Sequence, residues 1–396
     1  MNKQEDSHMN NFNFYSPTYF AFGKGKENEV GALVKHFGGS RVLLHYGGGS
    51  VKRNGVFDSV VKSLNEAEIP FVELGGVKPN PRSGLVYEGI ELCRKENIDF
   101  ILAIGGGSTI DSAKAIALGT PYDGDFWDFY RTGTPVEKAL PIGTVLTIAV
   151  AGSEGSAATV ITNEENKLKW SASGDVLRPK FSVMNPEFTC TLPAYQTACG
   201  ITDIMIHVCE RYFTNTKDVE ITDRLCEAVL KAMIEEAPKV MNDLTNYEAR
   251  ANIMWAGMIA HNNIIGVGRD QDWGTHAIEH ELSSLYDCAH GAGLAVISPA
   301  WMKFVYKHDI NRFVQFAVRV WGCDMKFASP EATALEGIHR FEIFLKSIGM
   351  PITFAELGAK EEDIPGMVAQ LCKRTSIGNF VKIGAEEAEV IFRLAL

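Results

Sequence analysis

Short apolar runs alternate with helical patterns along the first half of the chain, and this alternation restricts the fold more than any other feature. RVLLHY at 41–46 and DFILAI at 99–104 are predicted strands, and the segment 54–68 between them repeats apolar residues at helical spacing. Strands separated by helices of this kind form a parallel sheet with right-handed crossovers. From about residue 193 the helical periodicity continues with almost no alternation of β-branched residues.

We therefore predict two domains with a boundary near Leu192–Pro193. Residues 1–192 form an α/β domain with a parallel, Rossmann-like sheet that binds a dinucleotide, and residues 193–396 form an all-α domain that binds a metal. A chain of 396 residues is too long for one ordinary core, which agrees with this division.

Composition excludes several classes of partner. The net charge of -11 argues against a nucleic-acid-binding surface, and no apolar run is long enough to cross a bilayer. No secretory signal is visible at the N-terminus. The eight cysteines occur singly, without a C-x-x-C pair, as is typical of thiols in a reducing compartment. We expect a cytoplasmic protein that acts on a small molecule, without a nucleic-acid or membrane partner.

Two segments of the second half concentrate metal-binding side chains. Asp203 and His207 lie in GITDIMIHVCERYF, and His276, His280 and His290 lie in DWGTHAIEHELSSLYDCAHGAG. Residues four apart share one helical face, so each pair on a helix can point at a common atom. One carboxylate with several imidazoles suits a divalent ion such as Zn²⁺ or Fe²⁺. The alternative interpretation is a chance scatter of histidines on amphipathic helices.

A glycine-rich turn follows the strand DFILAI directly. Gly105, Gly106, Gly107 and Ser108 lead from this strand into the helix TIDSAKAIALG. Glycines let the backbone approach a ligand, and a helix N-terminus attracts phosphate. The motif is not G-x-G-x-x-G, so it predicts diphosphate binding without the usual dinucleotide fingerprint. The alternative is a tight β–α turn in which Asp111 favours the first helical turn.

A second glycine-rich turn, HYGGGSVKRNG, follows the strand RVLLHY. In nucleotide-binding folds an acidic residue after an early strand holds the ribose hydroxyls of NAD. A hydroxyl and two cations occupy that place here, which favours the 2′-phosphate of NADP(H), with NAD(H) as the alternative cofactor. An exposed basic turn would have the same composition. The turn contains Gly47, Gly48, Gly49 and Ser50, followed by Lys52 and Arg53.

Five motifs occur in the order found in iron-containing alcohol dehydrogenases, and the resemblance extends from about Phe12 to the C-terminus. They are GGGSTIDSAKAIA, TIAVAGSEGSAATVIT, MNPEFTCTLP, GITDIMIHVCERYF and DWGTHAIEHELSSLYDCAHGAGLAV. YGGGSVKRNG and GDFWDF are most similar to the NADPH-dependent butanol dehydrogenase and aldehyde reductase branch. The resemblance implies a dehydroquinate synthase-like architecture. It also implies hydride transfer between NADP(H) and a primary alcohol or aldehyde, such as butanol or butanal. We expect a homodimer.

The resemblance also implies roles for individual residues. His280, one turn after His276, corresponds to a position near the substrate that is not a ligand, and its imidazole is suited to passing a proton. Two departures affect individual cofactor contacts: Ala151 stands where Thr is common, and Gly155 where Met is frequent. The implied metal ligands are Asp203, His207, His276 and His290. The implied dinucleotide contacts are Gly106, Gly107, Ser108 and Asp111, with Thr147, Ser153 and Lys169 along the cofactor and Asn80 nearby.

Some neighbouring residues have two interpretations. Glu210, Glu279 and Glu281 are available to support the metal ligands, but exposure on helices is the ordinary expectation for them. The aromatic residues of GDFWDFY, including Phe126, Trp127 and Phe129, either wall a substrate pocket or belong to the core.

Three other functions remain open. The sequence HAIEH matches the peptidase pattern H-x-x-E-H, with Glu279 as base, but a peptidase would leave both glycine-rich turns and Asp203 unused. Glycerol dehydrogenases and dehydroquinate synthases share the expected fold. Cyclases of the latter type need several cations around the substrate, and in residues 263–292 Arg269 is the only basic side chain besides histidine.

Overall fold

The computed structural model describes residues 8–374 and 377–396, which form two compact units. The α/β unit consists of Tyr15–Pro193 and Asp243–Asn262. The helical unit consists of Ala194–Asn242 and Asn263–Leu396, together with residues 8–14. The break before Ala194 is next to the predicted boundary, but residues 243–262 return to the α/β unit. The functional division into a dinucleotide-binding and a metal-binding domain stays a prediction.

A six-stranded parallel sheet forms the centre of the α/β unit, in the order β1-β8-β5-β4-β2-β3. The predicted α/β fold class is confirmed. A separate antiparallel hairpin, β6-β7, was not predicted, and neither was the short edge strand β1. The strands are β1 Tyr19–Phe22, β2 Val42–Gly47, β3 Phe71–Val77, β4 Phe100–Gly105, β5 Ile142–Leu146, β6 Ala158–Asn163, β7 Leu168–Ser173 and β8 Phe181–Met184.

Helices cover this sheet and form most of the helical unit. The α/β unit contains α1 Val30–His36, α2 Ser50–Arg53, α3 Val56–Glu66, α4 Ser83–Glu96, α5 Gly107–Gly119, α6 Asp128–Arg131 and α9 Tyr247–His261. The helical unit contains α7 Ala194–Tyr212, α8 Glu220–Asn242, α10 Gly274–Tyr286, α11 His290–Val305, α12 Ile310–Gln315, α13 Pro330–Ser347, α14 Phe354–Leu357, α15 Ile364–Leu371 and α16 Ala385–Leu394. In the described part of the chain, none of these helices has the length and apolar character needed to span a bilayer.

The central strand β4 is buried on both faces, as its uninterrupted apolar sequence predicts. Successive side chains of a strand point to opposite faces. Ile101 and Ala103 therefore belong to one apolar core, while Phe100, Leu102 and Ile104 belong to the core on the opposite side. The sheet thus separates two cores, each closed by helices.

The order of the strands creates a switch point beside β2. The chain runs from β2 outward to β3 and then crosses back to β4 on the other side of β2. Beyond β4 it continues in that second direction through β5 to β8. Ligands of open α/β sheets bind at the carboxyl ends of the strands where the direction changes. The two glycine-rich turns follow β2 and β4, so both lie at this point.

Leu102→Ala should destabilise the α/β unit, because the side chain is fully buried on the central strand. The loss of transfer free energy and the resulting cavity predict a decrease of about 2–5 kcal/mol in the free energy of unfolding. Urea denaturation followed by circular dichroism measures it. Leu335→Ala on α13, where the side chain is 40% exposed, is the matched control and should stay within about 0.5 kcal/mol of the unmodified protein. Equal effects of the two substitutions would contradict this account of the core.

Candidate metal centre and cofactor site

Close packing of α11 against α7 brings the metal-binding side chains together. Asp203 and His207 lie on α7, His276 and His280 on α10, and His290 is the first residue of α11. A Cβ atom at Gly291 would lie 2.1 Å from the carbonyl oxygen of Cys199 on α7. Only glycine fits at that contact. Because Gly291 has no side chain, α11 can approach α7 closely, and the neighbouring His290 lies beside Asp203.

Three imidazoles surround one oxygen of a fully buried carboxylate. The Oδ1 atom of Asp203 lies 3.3 Å from Nδ1 of His207, 3.5 Å from Nε2 of His276 and 3.7 Å from Nε2 of His290. Ligand atoms of Asp203, His276 and His290 all lie within 4.8 Å of one another. His207 lies beside this group, with its ring centroid 4.5 Å from that of His276. The structure thus brings together all four residues that the sequence predicts as ligands.

His207 and His276 each have a hydrogen-bond acceptor at Nδ1, and in a neutral ring this fixes the tautomer. Nδ1 of His276 donates to Oε1 of Glu210 at 2.8 Å, and Nδ1 of His290 lies against the Glu279 carboxylate. Nδ1 of His207 donates to the Asp203 carbonyl oxygen at 3.0 Å. Because carboxylates and carbonyls only accept, the rings of His207 and His276, when neutral, carry their lone pair on Nε2. Partners of this kind orient the histidine ligands of metals in proteins.

The buried glutamates differ from the expectation that they are exposed. Glu210 is 2% exposed, Glu279 is 0% exposed and Glu281 is 8% exposed, so that expectation was wrong. Asp203, His207 and Glu210 are spaced four and then three residues apart, which places them on one helical face. This spacing was the signal in the sequence that Glu210 faces the same site as the two candidate ligands.

The charges and unsatisfied atoms of this cluster fit a bound cation. Among the described residues, neither carboxylate oxygen of Asp203 nor Nε2 of His276 has a hydrogen-bond partner, although buried polar atoms normally have one. Burial acts to raise the pKa of Asp203, but the surrounding imidazoles outweigh it and hold the pKa below its usual value. Burial lowers the pKa of His276, but Asp203 and Glu210 outweigh it and raise the pKa to about 9. The space between the Asp203 carboxylate and the surrounding imidazoles therefore favours a positive charge.

His280 lies at the edge of this cluster. Its ring centroid is 5.7 Å from that of His290, and its Nδ1 lies 3.5 Å from a guanidinium nitrogen of Arg374. Ligand atoms of Glu279, His280 and His290 also lie within 4.8 Å of one another, so geometry alone permits a second set of ligands that includes His280. Among the described residues, the group of possible ligands that contains Asp203 includes His276 and His290 but not His280.

Two other sequence hypotheses concern residues that prove to be buried. Phe126, Trp127 and Phe129 belong to the apolar core of the α/β unit, and Trp127 stacks on Tyr130 with ring centroids 5.0 Å apart. The core interpretation of the aromatic segment is therefore correct.

The side chain of Arg269 is fully buried and lies 2.8 Å from Asp223, so its charge is neutralised inside the helical unit.

The predicted cofactor residues cluster at the switch point of the sheet. Gly47 ends β2, Gly106 precedes α5, and the backbone N–H of Thr147 after β5 donates to the Gly105 carbonyl at 3.0 Å. A Cβ atom at Gly106 would lie 2.0 Å from Cγ2 of Ile148, so this turn requires glycine. The N-terminus of α5 thereby lies at the carboxyl end of the sheet, the place where open α/β sheets in general bind phosphate groups.

Four of the other predicted contacts form two hydrogen-bonded pairs in the α/β unit. Nζ of Lys169 donates to Oδ1 of Asn80 at 3.0 Å. Oγ of Ser153 donates to Oδ1 of Asp111 at 2.6 Å, which joins α5 to the segment before β6. At the departure from the family pattern, Ala151 packs against the glycine-rich turn: a Cβ atom at Gly107 would lie 3.1 Å from its methyl group.

Comparison with known proteins agrees with both sites. The model of the iron-containing alcohol dehydrogenase domain matches residues 17–186, and that of the C-terminal domain of the same family matches residues 197–396. The chain belongs to the iron-containing alcohol dehydrogenase family. It is an enzyme, and members of this family oxidise alcohols or reduce aldehydes with a nicotinamide cofactor and a divalent metal.

Relatives within the iron-containing alcohol dehydrogenases differ in their cofactor. The probable NADH-dependent butanol dehydrogenase 2 of Bacillus subtilis is 42% identical over 98% of this chain and 100% of its own. The NADPH-dependent aldehyde reductase of Escherichia coli is 36% identical over 92% of this chain and 93% of its own. The crystal structure of NADH-dependent butanol dehydrogenase A from Thermotoga maritima has a TM-score of 0.95 and 41% identity, covering 98% of this chain and 99% of that one.

Glu210→Gln should weaken metal binding while leaving the four candidate ligands in place. The substitution removes the negative charge that holds Nδ1–H of His276, and losses of this kind weaken metal affinity by about 10–100-fold. Metal retention against a graded chelator, measured by elemental analysis, tests it. Glu235→Gln, at an exposed position of α8, is the control and should retain metal as the unmodified protein does. Equal retention in both variants would show that Glu210 does not support the site.

Proposed function

We propose that this protein is a metal-dependent alcohol dehydrogenase and aldehyde reductase that transfers hydride between NADP(H) and a primary alcohol or aldehyde, with substrates like butanol and butanal. One observation carries the proposal. Three imidazoles surround the buried carboxylate of Asp203, and neither its oxygens nor Nε2 of His276 has a hydrogen-bond partner among the described residues. The glycine-rich turns at the switch point supply the second requirement, a place for a dinucleotide.

The proposed metal ligands are Asp203, His207, His276 and His290. A carboxylate with imidazoles is a donor set that holds Fe²⁺ or Zn²⁺, so the chemistry of the ligands does not choose between these ions. When bound, such an ion acts as a Lewis acid that polarises a carbonyl oxygen or lowers the pKa of an alcohol. Glu210 and Glu279 hold the rings of His276 and His290 in the required orientation.

His280 is the proposed catalytic residue that moves a proton. It is 8% exposed and its ring lies beside that of His290, whereas each of the three proposed histidine ligands has a ring nitrogen within 3.7 Å of Oδ1 of Asp203. An imidazole exchanges protons near neutral pH, which suits transfer to and from an alcohol oxygen. Hydride transfer itself is performed by the nicotinamide ring, and the protein supplies position and electrostatics.

The proposed cofactor contacts lie around the switch point of the sheet. The N-terminus of α5 receives the diphosphate, and the turn after β2 receives the adenosine ribose. The residues concerned are Gly47, Gly48, Gly49, Ser50, Asn80, Gly106, Gly107, Ser108, Asp111, Thr147, Ser153 and Lys169.

Two observations bear on the choice between NADPH and NADH. The turn after β2 presents no carboxylate of its own to a 2′-phosphate, and this supports NADPH. Nζ of Lys52 is paired with Glu73 at 2.7 Å, which reduces its contribution to phosphate binding, and the butanol dehydrogenase relatives are named as NADH-dependent. We retain NADPH as the preferred cofactor because no carboxylate in the turn repels the phosphate, with NADH as the alternative.

The substrate class, assembly and location that we propose each rest on a separate observation. The names of the relatives support butanol and related aldehydes as substrates. Exposed aromatic side chains near the start of the described chain, Phe12, Phe14, Tyr15 and Tyr19, support a homodimer, because such residues are enriched at interfaces. The eight cysteines are all free thiols, which supports the expected cytoplasmic location.

The other candidate functions fit the site less well. A peptidase of the H-x-x-E-H type needs Glu279 as a base, but this side chain is fully buried and lies against His290. A dehydroquinate synthase-like cyclase needs cations that face the substrate, and Arg269 is buried against Asp223. A glycerol dehydrogenase-like reaction needs no such cation, and it is the second candidate for this fold.

A reductase assay tests the proposal directly. The purified protein, reconstituted separately with Fe²⁺ and Zn²⁺, would be assayed for oxidation of NADPH and of NADH with straight-chain aldehydes of increasing length. Glycerol and dihydroxyacetone would be the probes for the second candidate. Reduction of butanal with a kcat/KM above that for dihydroxyacetone is expected. Absence of nucleotide oxidation with every aldehyde in both metal forms would overturn the proposed function.

His276→Ala and His280→Ala should have different effects, because only His276 is a proposed ligand. His276→Ala should lose both metal and turnover. His280→Ala should keep its metal and lose about 10²–10⁴-fold in kcat, with an altered pH profile. Elemental analysis and steady-state kinetics measure both, and His339→Ala, where the side chain is 68% exposed, is the control. Loss of metal from the His280 variant would show that His280 is a ligand. It would favour the second set of ligands, Glu279, His280 and His290.

Gly48→Asp should shift the preference from NADPH toward NADH, because its carboxylate would repel the 2′-phosphate and accept hydrogen bonds from ribose hydroxyls. A Cβ atom at Gly48 meets nothing within 4 Å, so the side chain fits without strain. The ratio of kcat/KM for the two cofactors measures the shift. Asn65→Asp, at an exposed position of α3, adds the same charge away from the turn and should leave the ratio unchanged. An unmodified protein that already prefers NADH would contradict the prediction for this turn.

A further inference from the structure

A fully buried lysine lies two turns into α5, the helix that follows the glycine-rich turn after β4. Lys114 is on α5, and its side chain is 0% exposed in the α/β unit. A buried ammonium group is costly unless hydrogen bonds replace its water. Nothing in the proposed reaction uses this residue, so the partners that stabilise it define what it does.

All the acceptors of Lys114 belong to one segment, residues 152–158, which we call the serine loop. Nζ lies 2.7 Å from the Ser153 carbonyl oxygen, 2.9 Å from that of Ser156 and 2.9 Å from that of Ala158. It also lies 3.0 Å from Oγ of Ser153 and 3.1 Å from Oγ of Ser156. Three carbonyl oxygens and two hydroxyls of one short segment therefore converge on a single ammonium group.

This convergence determines the conformation of the serine loop. Carbonyl oxygens that point at one another repel, and only a donor with several protons can hold three of them at one point. The loop also contains Gly152 at φ +62°, and a Cβ atom there would lie 2.5 Å from the Gly257 carbonyl oxygen on α9. A second buried cation, Arg178, donates to the Gly155 carbonyl at 2.7 Å. The loop is thus held by buried cations rather than by an apolar core of its own.

The serine loop is joined to proposed cofactor contacts. Oγ of Ser153 accepts from Lys114 and donates to Asp111, so these three side chains form one chain of hydrogen bonds. The second oxygen of Asp111 accepts from the backbone N–H of Val160 on β6 at 3.0 Å. Ser153 and Asp111 are both proposed cofactor contacts, and α5 carries the proposed diphosphate site at its N-terminus.

We propose that Lys114 is a positioning residue for the nicotinamide cofactor: it holds the serine loop against α5 in the conformation that binds the dinucleotide. Lys114 does not contact the cofactor itself. The inference rests on the proposed function, since it requires that the α/β unit bind NADPH or NADH. Neutral side chains of similar length fill the same space, but they cannot donate hydrogen bonds to the three carbonyls.

Lys114→Met is the principal test. Losing several charge-assisted hydrogen bonds should raise the Kd for NADPH and NADH by about tenfold or more, with an equal rise in the KM for the cofactor. The kcat should stay within about threefold, and the KM for the aldehyde should not change, because the loss affects the binding of only one substrate. Kd would be measured by titration of nucleotide fluorescence, and metal content by elemental analysis.

A matched control separates positioning from general loss of stability. Ile116→Val removes one methylene group from a fully buried residue of the same helix, at a cost of about 0.5–1.5 kcal/mol in the free energy of unfolding. It should leave the cofactor Kd unchanged. Ser156→Ala removes one acceptor of Lys114 and keeps the carbonyl, so it should raise Kd in the same direction by about two- to threefold.

Each outcome decides the inference. A folded Lys114→Met protein that binds the cofactor as tightly as Ile116→Val overturns it, while the unmodified protein still supports the proposed function. If Lys114→Met does not fold, an unchanged Kd in Ser156→Ala overturns the inference, and the expected rise supports it. An unmodified protein that binds neither NADPH nor NADH overturns the proposed function and the inference together.

Discussion

The buried carboxylate of Asp203 determines how the helical unit is built. A carboxylate with no exposed surface and no hydrogen-bond partner among the described residues is unstable in a protein interior unless positive charge is close to it. The three imidazoles approach Oδ1 from α7, α10 and the start of α11. Those helices must therefore meet at this point, and the packing of the unit follows from that requirement.

Small residues and buried acids make the meeting of these helices feasible. Gly291 allows α11 to rest on the backbone of α7, and a Cβ atom at Gly293 would lie 2.6 Å from a carboxylate oxygen of Glu279. Glycine at both positions lets Glu279 reach His290 from α10. Glu210 performs the same task for His276, and its Oε1 also accepts the backbone N–H of that residue at 3.0 Å. The rings of His276 and His290 are thus each held by a carboxylate on a helix other than their own.

The sequence predicted the periodic and chemical features of this protein better than its long-range contacts. The buried strands and the metal-binding residue types were visible because apolar runs and pairs of residues four apart are local patterns. The hairpin β6-β7 alternates buried and half-buried residues and includes few apolar runs, so the search for buried strands missed it. The burial of Glu210 and Glu279 depends on which helices pack together, and local spacing alone did not decide between an exposed and an internal position.

Lys114 and Asp203 are both buried charges, but they have different roles. Lys114 stabilises the fold of the α/β unit, whereas Asp203 indicates a candidate metal site in the helical unit. The charge of Lys114 has five acceptor atoms from its own unit, so the protein satisfies it completely. Both carboxylate oxygens of Asp203 and Nε2 of His276 lack a hydrogen-bond partner among the described residues, so the helical unit does not satisfy them. Three imidazoles lie around one of these oxygens, a donor set that suits a cation. The same electrostatic requirement thus makes Lys114 a fixed part of the fold and makes the surroundings of Asp203 a candidate site for an ion.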